Sequence, residues 1–449
     1  MIHKLRIWSN GQAVGVIGFD DTDDSFSLEY DPEWVKHNGF PLSPRLSPEA
    51  IKQGKSGSVE IRRFLENLLP EGQALDDVAA VSHLSKANLF GLIRALGKES
   101  AGALALLPDD LPPEKVPSSK REITLDELSK RIREREQVPF SVWDGRVRMS
   151  IAGYQDKIAV FRDKDGRLFL VEGELASTYI LKPAPRNPAV KHLVLNEFLC
   201  MTLARQVKLG VANVELIRVP EPVLLIERFD RRLSKNSTSV ERIHIIDGCQ
   251  ALGLPPAYKY ERNFGNGEDV KHIRDGASLK RMFDLTELSD QKSSETLKLL
   301  RWTLFQYLVG NTDAHGKNIS YFVDEEEIRL APAYDVVCVE AHDCFEQSIA
   351  MAIGDTFEYA DLRAYDWAEF GVTCGIPRKL LAREMTRMAK AVSSAMSNVV
   401  DGISCVDDDE AAYVKRVAGI VTERVKQLES DAKLVPDVSN AILSGDWKP

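Results

Sequence analysis

Asp313 and Asn318 lie five positions apart in a short segment of small and polar residues, Gly310 to Ser320. The D-x-x-x-x-N spacing is typical of catalytic loops that transfer phosphoryl groups, in which the carboxylate accepts the proton of the acceptor hydroxyl and the amide oxygen binds a divalent ion. A further carboxylate, Asp335, follows seventeen residues after Asn318. Because Mg²⁺ takes few protein oxygens and keeps other positions for phosphates and water, these three side chains predict a magnesium site and phosphoryl transfer.

Three neighbours of this set are candidate nucleotide contacts. His315, inside the loop, is expected to hold it by hydrogen bonds to the backbone or the nucleotide rather than to act as an acid or base. Lys317 could offset phosphate charge during transfer, although an exposed loop lysine is an equally good interpretation. Tyr334, which precedes the last carboxylate, is assigned to the same site. The structural alternative is that the loop aspartate and asparagine only cap a loop and a turn, because both bond their own backbones well.

Phosphoryl transfer also requires a cation on the nucleotide phosphates. Lys182 ends the apolar run Tyr179-Ile180-Leu181 and is predicted to contact the phosphates from the end of a strand. Glu197, on the predicted helix that follows, is a candidate partner for its ammonium group, as in the strand-lysine to helix-glutamate pair of protein kinases. The alternative for this pair is an ordinary surface ion pair.

The nucleotide also needs a loop for its phosphates. Residues 150–157 form a small-residue loop before a predicted strand, from which Ala152, Gly153 and Lys157 are assigned to phosphate binding. The segment is neither a Walker A loop nor G-x-G-x-x-G, so its signal is weak when taken by itself.

The adenosine end of the nucleotide is assigned to a strand end at residues 225–232. The backbone of Glu227 and Phe229 is expected to bind an adenine edge, and Asp230 is expected to reach the ribose. The alternative is a strand end that carries an exposed charged turn.

Hydrophobic periodicity places these residues on three predicted domains. Alternation around Asn10-Gly11, a strong hairpin signal, followed by helical periodicity predicts an α+β unit over residues 1–107. A proline-rich linker precedes a small sheet lobe with one helix at 121–229. Residues 230–449 have an almost wholly helical pattern, which predicts an all-helical lobe that carries the catalytic loop. The predicted fold class is therefore α+β, with a mixed N-terminal lobe and an all-helical C-terminal lobe.

Composition restricts the classes of function. The net charge of −10 argues against a chain that binds nucleic acid by itself, and the basic stretch 378–390 is more simply a solvated helix face. No long apolar run or basic-then-apolar leader opens the sequence, which predicts a cytoplasmic protein without a membrane contact. Six cysteines without a C-x-x-C pair indicate neither a disulfide framework nor a zinc site.

The chain resembles the HipA family of toxin serine/threonine kinases from bacterial toxin–antitoxin pairs. The resemblance is carried by ordered motifs over most of the length, which are Phe64 to Pro70, Gly102-Ala103-Leu104, Ser150 to Lys157, Ile180-Leu181-Lys182, Asn196-Glu197, Glu227 to Arg232, Asp247 to Gln250, Thr312 to Asn318 and Tyr334-Asp335. It implies a bilobal protein-kinase-like fold that uses ATP and Mg²⁺, with Asp313 as the catalytic base, Asn318 and Asp335 on the metal, and Lys182 on the phosphates. It also implies that Ser150 is an autophosphorylation site whose modification switches the enzyme off.

The resemblance further implies a role in growth arrest and persistence. Family members phosphorylate a protein, glutamyl-tRNA synthetase in one instance, and are restrained by a HipB-like helix-turn-helix antitoxin dimer that binds operator DNA. In such an assembly the antitoxin reads the bases and the kinase acts as co-repressor. Two rival functions stay open, which are a small-molecule phosphotransferase of the aminoglycoside type and a catalytically silent co-repressor scaffold.

Overall fold

A computed structural model describes residues 1–54, 57–113, 118–148, 155–173, 175–235 and 239–439. The chain divides into two compact units that alternate along the sequence. The first unit contains Met1–Pro185, Ala212–Pro256 and Ser320–Ala331, and the second contains Arg186–Val211, Ala257–Ile319 and the residues from Pro332 onward. The three domains with boundaries at 107, 121 and 229 stay a prediction.

The first unit begins with a four-stranded antiparallel sheet of order β3-β2-β1-β4. Its strands are β1 (Ile2–Ser9), β2 (Gln12–Asp20), β3 (Ser25–Tyr30) and β4 (Leu104–Pro108). The first two strands are joined at Asn10 and Gly11, which have φ angles of 47° and 82° as a tight hairpin requires. Between β3 and β4 the described residues form five α-helices, namely α1 (Pro32–Lys36), α2 (Pro48–Lys52), α3 (Ser58–Glu66), α4 (Gly72–Val81) and α5 (Leu89–Leu96).

A six-stranded antiparallel sheet of order β11-β12-β10-β8-β9-β5 forms the rest of this unit's core. One of its two central strands is β10, whose Leu181 is fully buried and pairs with Ile158 on one side and Leu225 on the other. The strands are β5 (Ser119–Ile123), β8 (Ile158–Arg162), β9 (Leu168–Glu172), β10 (Tyr179–Pro183), β11 (Val214–Arg218) and β12 (Pro222–Glu227). Helix α6 (Leu125–Arg133) and the short pair β6 (Val142–Trp143) and β7 (Arg146–Val147) lie between β5 and β8 in the sequence.

Among the described residues beyond Phe229, where helical periodicity predicts only helices, there are five short strands. β13 (Arg231–Leu233) pairs with β14 (Val240–Arg242), and β15 (Ile245–Asp247), β16 (Ser320–Val323) and β17 (Ile328–Leu330) form a three-stranded sheet. A capping box between Asp247 and Gln250 opens helix α8 (Gly248–Leu252) directly after β15. These strands have three or four residues each, which is too short for a period of two to be read from the sequence.

The second unit is helical in the part of the chain that the structure describes. Its helices are α7 (Leu193–Gln206), α9 (Leu279–Asp284), α10 (Lys292–Leu308), α11 (Ala364–Thr373), α12 (Arg378–Asp401) and α13 (Asp408–Leu434). The Asp407 side chain accepts a hydrogen bond from the Glu410 N–H and so caps the longest of them. A helical second unit and a sheet-rich first unit confirm the predicted α+β class. No helix within the described ranges has both the length and the apolar composition needed to cross a membrane.

Candidate active site

The catalytic loop predicted from the sequence begins where helix α10 ends. Gly310 has a φ of +67°, and a Cβ atom there would come within 2.5 Å of Glu340 Oε2, so this turn favours glycine. The Asn311 side chain then accepts a hydrogen bond from the Asp313 N–H at 3.2 Å and donates one to Gln306 Oε1 at 2.8 Å. Asn311 therefore provides the side-chain cap of this turn, which is the role that the structural alternative gives to Asp313.

Asp313 differs from its neighbours in exposure. Every residue from Asn311 to Ser320 is buried except Asp313, whose side chain is exposed. Ionised side chains are seldom buried without partners, whereas a loop that is otherwise packed holds its backbone in place. The loop therefore presents one carboxylate to solvent from a fixed backbone.

Asn318 is oriented by the backbone of the same loop. Its Nδ2 donates to the Asp313 carbonyl oxygen at 3.0 Å, and its backbone N–H donates to the His315 carbonyl oxygen at 2.9 Å. Because the amide nitrogen and oxygen point in different directions, anchoring Nδ2 fixes the direction of Oδ1. Oδ1 is the atom that a divalent ion would bind.

The Tyr334-Asp335 segment is attached to this loop. The Tyr334 hydroxyl donates to the Lys317 carbonyl oxygen at 2.6 Å, one residue before Asn318. Asp335 adopts a φ of 55°, a left-handed conformation that is uncommon for residues other than glycine. An amide oxygen and a carboxylate on two connected segments are a donor set that fits Mg²⁺.

His315 is held neutral inside the loop. Burial, reinforced by the positive charge of Lys259, lowers the pKa of His315 to about 3. Its Nδ1 is buried and has no hydrogen-bond partner among the described residues. A neutral imidazole with an unsatisfied nitrogen suits a hydrogen bond to a bound nucleotide better than proton transfer, as the sequence predicts.

Tyr260 is a site residue that sequence reasoning missed. Its hydroxyl donates to Asp313 Oδ1 at 2.7 Å, and its ring makes an edge-to-face contact with the His315 ring at 5.2 Å between centroids. The two residues are 53 positions apart in the chain, and no local pattern signals the contact.

In the first unit, Lys182 and Lys157 are two buried cations at one end of the six-stranded sheet. Lys182 lies in β10 and is 6% exposed, and Lys157 immediately precedes β8 and is 7% exposed. Leu181 pairs with Ile158, so the antiparallel register continued by one residue places Lys157 beside Lys182. Two neighbouring and largely buried lysines are residues of the type that binds phosphate groups.

The predicted adenine segment lies at the end of β12. The Glu227 backbone N–H donates to the Asn213 carbonyl oxygen, and the Asn213 side chain donates to Glu227 Oε2, both at 2.9 Å. Phe229 is half-buried and makes an edge-to-face contact with Phe322 at 5.9 Å. Both residues are therefore held in place, as an adenine contact requires.

Asp230 does not fit the predicted contact with a ribose. Its carboxylate accepts hydrogen bonds from Arg228, Arg231 and the Gly102 N–H, with Oδ2 distances of 2.7, 2.7 and 2.8 Å. Burial disfavours the charged carboxylate, but the charges of the two arginines outweigh that effect and lower the pKa of Asp230 far below its usual range. Because protein donors surround the carboxylate, Asp230 belongs to a structural ion network rather than to the nucleotide site.

The other predicted site residues lie either in one of the two units or outside the described residues. Glu197 lies on α7 in the second unit and is 1% exposed, whereas its predicted partner Lys182 belongs to the first unit, so this pair stays a prediction. The second unit brings together Asp313, His315, Lys317, Asn318, Tyr334 and Asp335. Ser150, Ala152 and Gly153 lie outside the described residues.

The chain is similar to known proteins over most of its length. Residues 5–107 match the HipA N-terminal domain, and residues 149–396 match the HipA-like C-terminal domain. The chain is 41% identical to the serine/threonine-protein kinase toxin HipA of Shewanella oneidensis, over 89% of this chain and 90% of that protein. It is 33% identical to the Sinorhizobium fredii protein Y4mE, over 95% of this chain and 98% of that one.

A solved structure extends the likeness to the fold. HipA from Shewanella oneidensis, in complex with HipB and its operator DNA, superposes with a TM-score of 0.88 at 38% identity, covering 97% of this chain and all of that one. One domain match spans more than half of the sequence, and the two HipA domain matches lie in chain order. The chain therefore belongs to the HipA family of serine/threonine-protein kinases.

Proposed function

We propose that this kinase uses ATP and Mg²⁺ and is the toxin of a toxin–antitoxin pair. The observation that carries the proposal is the exposed Asp313 carboxylate in a loop that is otherwise buried from Asn311 to Ser320. In this role Asp313 accepts the proton of the acceptor hydroxyl. Because the backbone around it is fixed, positioning and electrostatic stabilisation provide most of the catalysis.

The other site residues hold the nucleotide. Asn318 and Asp335 would bind Mg²⁺, which neutralises charge on the phosphate oxygens when bound. Lys182 and Lys157 contact the phosphates from the sheet, and Glu227 and Phe229 contact the adenine through their backbone. His315, Lys317 and Tyr334 complete the nucleotide site from the catalytic loop, with Ala152 and Gly153 from the phosphate loop.

The partners follow from the family. The HipA of Shewanella oneidensis was crystallised with HipB and operator DNA. We infer that this chain binds a helix-turn-helix antitoxin dimer and reaches operator DNA through it. The net charge of −10 supports this arrangement, because a chain of that charge gains little from direct phosphate contacts. The acceptor protein is proposed to be a translation factor such as glutamyl-tRNA synthetase, and Ser150 is proposed as the site of autophosphorylation.

The proposal is tested by replacing the base. Asp313→Asn keeps the size of the side chain but cannot accept the acceptor proton, so phosphate transfer from ATP should fall about 10²- to 10⁴-fold. Radiolabelled ATP is supplied with purified glutamyl-tRNA synthetase, with cell extract and with a panel of aminoglycosides, and the labelled product is identified. Asp361→Asn is the matched control, because Asp361 is an exposed aspartate of the same unit.

The three functions give different outcomes in this assay. Label on protein that disappears in Asp313→Asn but not in Asp361→Asn supports the protein kinase. Label on an aminoglycoside indicates a small-molecule phosphotransferase, and no label with any acceptor indicates a silent scaffold. An Asp313→Asn variant that transfers phosphate at the normal rate shows that the base is assigned wrongly.

A further inference from the structure

Tyr260 contacts the catalytic carboxylate from outside the catalytic loop. Its hydroxyl donates to Asp313 Oδ1 at 2.7 Å, and the residue itself is 37% exposed. A carboxylate has two oxygens and about four acceptor positions, so one oxygen can bind the tyrosine while the other receives an acceptor hydroxyl. The contact therefore permits catalysis without any movement of Tyr260.

The backbone on both sides of Tyr260 is fixed. The Lys259 carbonyl oxygen accepts a hydrogen bond from the Gly316 N–H at 2.9 Å, which joins the segment to the catalytic loop. The Tyr258 carbonyl oxygen accepts one from the Ala277 N–H at 2.8 Å. At Gly276 an added Cβ atom would lie 1.8 Å from the Tyr260 carbonyl oxygen, so the two chain segments pass in direct contact.

Glu261, the next residue, anchors the segment through hydrogen bonds of its buried side chain and its backbone. It is 4% exposed, and its carboxylate accepts hydrogen bonds from the Ala352 N–H at 2.8 Å and from Arg274 Nε at 2.7 Å. Its own N–H donates to the Ala350 carbonyl oxygen at 2.9 Å. The main chain is therefore bonded before and after Tyr260, so the tyrosine side chain extends towards Asp313 from a fixed position.

We propose that Tyr260 is a positioning residue that fixes the rotation of the Asp313 carboxylate through Oδ1, so that Oδ2 faces the acceptor hydroxyl. This inference rests on the proposed function, in which Asp313 is the base. Hydrogen bonds to charged groups are the stronger ones, and a base that must lie within hydrogen-bond reach of its proton is sensitive to orientation. Tyr260 acts on the transfer step and not on nucleotide binding.

The test compares Tyr260→Phe with Tyr258→Phe in the full chain. Tyr260→Phe removes one oxygen and keeps the ring that contacts His315, and Tyr258→Phe removes a hydroxyl two residues away. The rate of phosphate incorporation from ATP into the chain is measured by intact-protein mass over a range of ATP concentrations. We expect Tyr260→Phe to lower the rate at saturating ATP about tenfold, with a change of less than about twofold in the ATP concentration for half-maximal rate. Tyr258→Phe should leave both quantities unchanged.

A double-mutant cycle with Asp313→Asn identifies the path of the effect. If Tyr260 acts through Asp313, adding Tyr260→Phe to Asp313→Asn should cause no further loss of residual rate. Additive losses, or a full rate in Tyr260→Phe alone, would overturn the inference while leaving Asp313 as the base. A normal rate in Asp313→Asn would instead overturn the proposed function. Melting temperatures of all variants show whether a loss of rate reflects unfolding, and the cycle is compared at a temperature where every variant is folded.

Discussion

His244 is a single buried side chain that makes stability depend on pH. It is 3% exposed, it stacks on the Phe40 ring at 4.4 Å, and its Nε2 lies 3.0 Å from the Leu42 carbonyl oxygen. Burial lowers the pKa of His244 from 6.5 to about 4. The unfolded chain therefore takes up a proton near pH 6.5, and the folded chain does so only near pH 4. The stability that the neutral imidazole provides is complete above about pH 6.5 and is lost as the pH falls towards 4.

We therefore expect the free energy of unfolding to fall by about 2 kcal/mol between pH 7.5 and pH 5 through His244 alone. Urea denaturation at the two pH values gives the change in the free energy of unfolding with pH for the wild type and for His244→Gln. The difference between these two changes is the contribution of His244. His37→Gln is the matched control, because the His37 side chain is 72% exposed. Equal pH dependence in the wild type and His244→Gln would contradict the prediction.

At the scale of residues, the sequence predicts which functional groups could form a site better than it predicts the burial and the distant contacts of those groups. The types and spacing of Asp313, Asn318 and Asp335 predict a magnesium site, and the structure places these residues on two connected segments. The Arg228-Phe229-Asp230-Arg231 motif cannot show that its aspartate is buried between two arginines, since burial is decided by residues as distant as Gly102. For the same reason the contact of Tyr260 with Asp313 cannot be read from either segment alone.

At the scale of elements, Asn196 connects helices α7 and α13 to the segment that follows Asp335. Its side chain accepts a hydrogen bond from the Cys338 N–H at 2.8 Å and donates to the Cys338 carbonyl oxygen at 2.9 Å. It also donates to the Tyr413 hydroxyl at 2.6 Å. Three residues after Asp335, which has a left-handed backbone, the buried Asn196 amide therefore bonds both the N–H and the carbonyl oxygen of Cys338.

Asn196→Ala should destabilise the protein by about 2 kcal/mol, because it leaves the Cys338 N–H buried without its partner and leaves the Cys338 carbonyl oxygen with only the bond from the Ala341 N–H at 3.2 Å. Thermal melting measures the loss. Asn398→Ala, at an exposed asparagine of α12, serves as the control and should change the melting temperature little. A melting temperature for Asn196→Ala equal to that of the control would show that the amide contributes nothing.

Elements with a clear local periodicity are predicted well, and the shortest strands are not. The predicted strand that ends at Lys182 is β10 (Tyr179–Pro183), and the predicted helix that carries Glu197 is α7 (Leu193–Gln206). The hairpin at Asn10-Gly11 is also confirmed. Strands β13 to β17 are not predicted from the sequence, because each has three or four residues. Pairing with other strands, rather than a local pattern, determines them.

At the scale of the whole molecule, the alternation of the two units restricts how the chain can be cut. A fragment ending at residue 185 lacks β11 and β12, so β10 keeps β8 but loses β12, the second of its two partner strands. An apolar strand left at a sheet edge favours aggregation. We expect fragment 1–185 to be insoluble, or to unfold without a cooperative transition, under conditions in which the full chain melts cooperatively. Circular dichroism during heating checks this, and a cooperative transition of the fragment would contradict it.

The same alternation has a consequence for synthesis on the ribosome. Strands β16 and β17, which complete the sheet begun by β15 at Ile245–Asp247, are translated after Asp313. A nascent chain that already includes the catalytic loop therefore still lacks part of its first unit. Premature termination anywhere before residue 331 would yield products in which that unit is incomplete, so truncated polypeptides of this kinase should be cleared by proteases rather than persist as partly active enzyme.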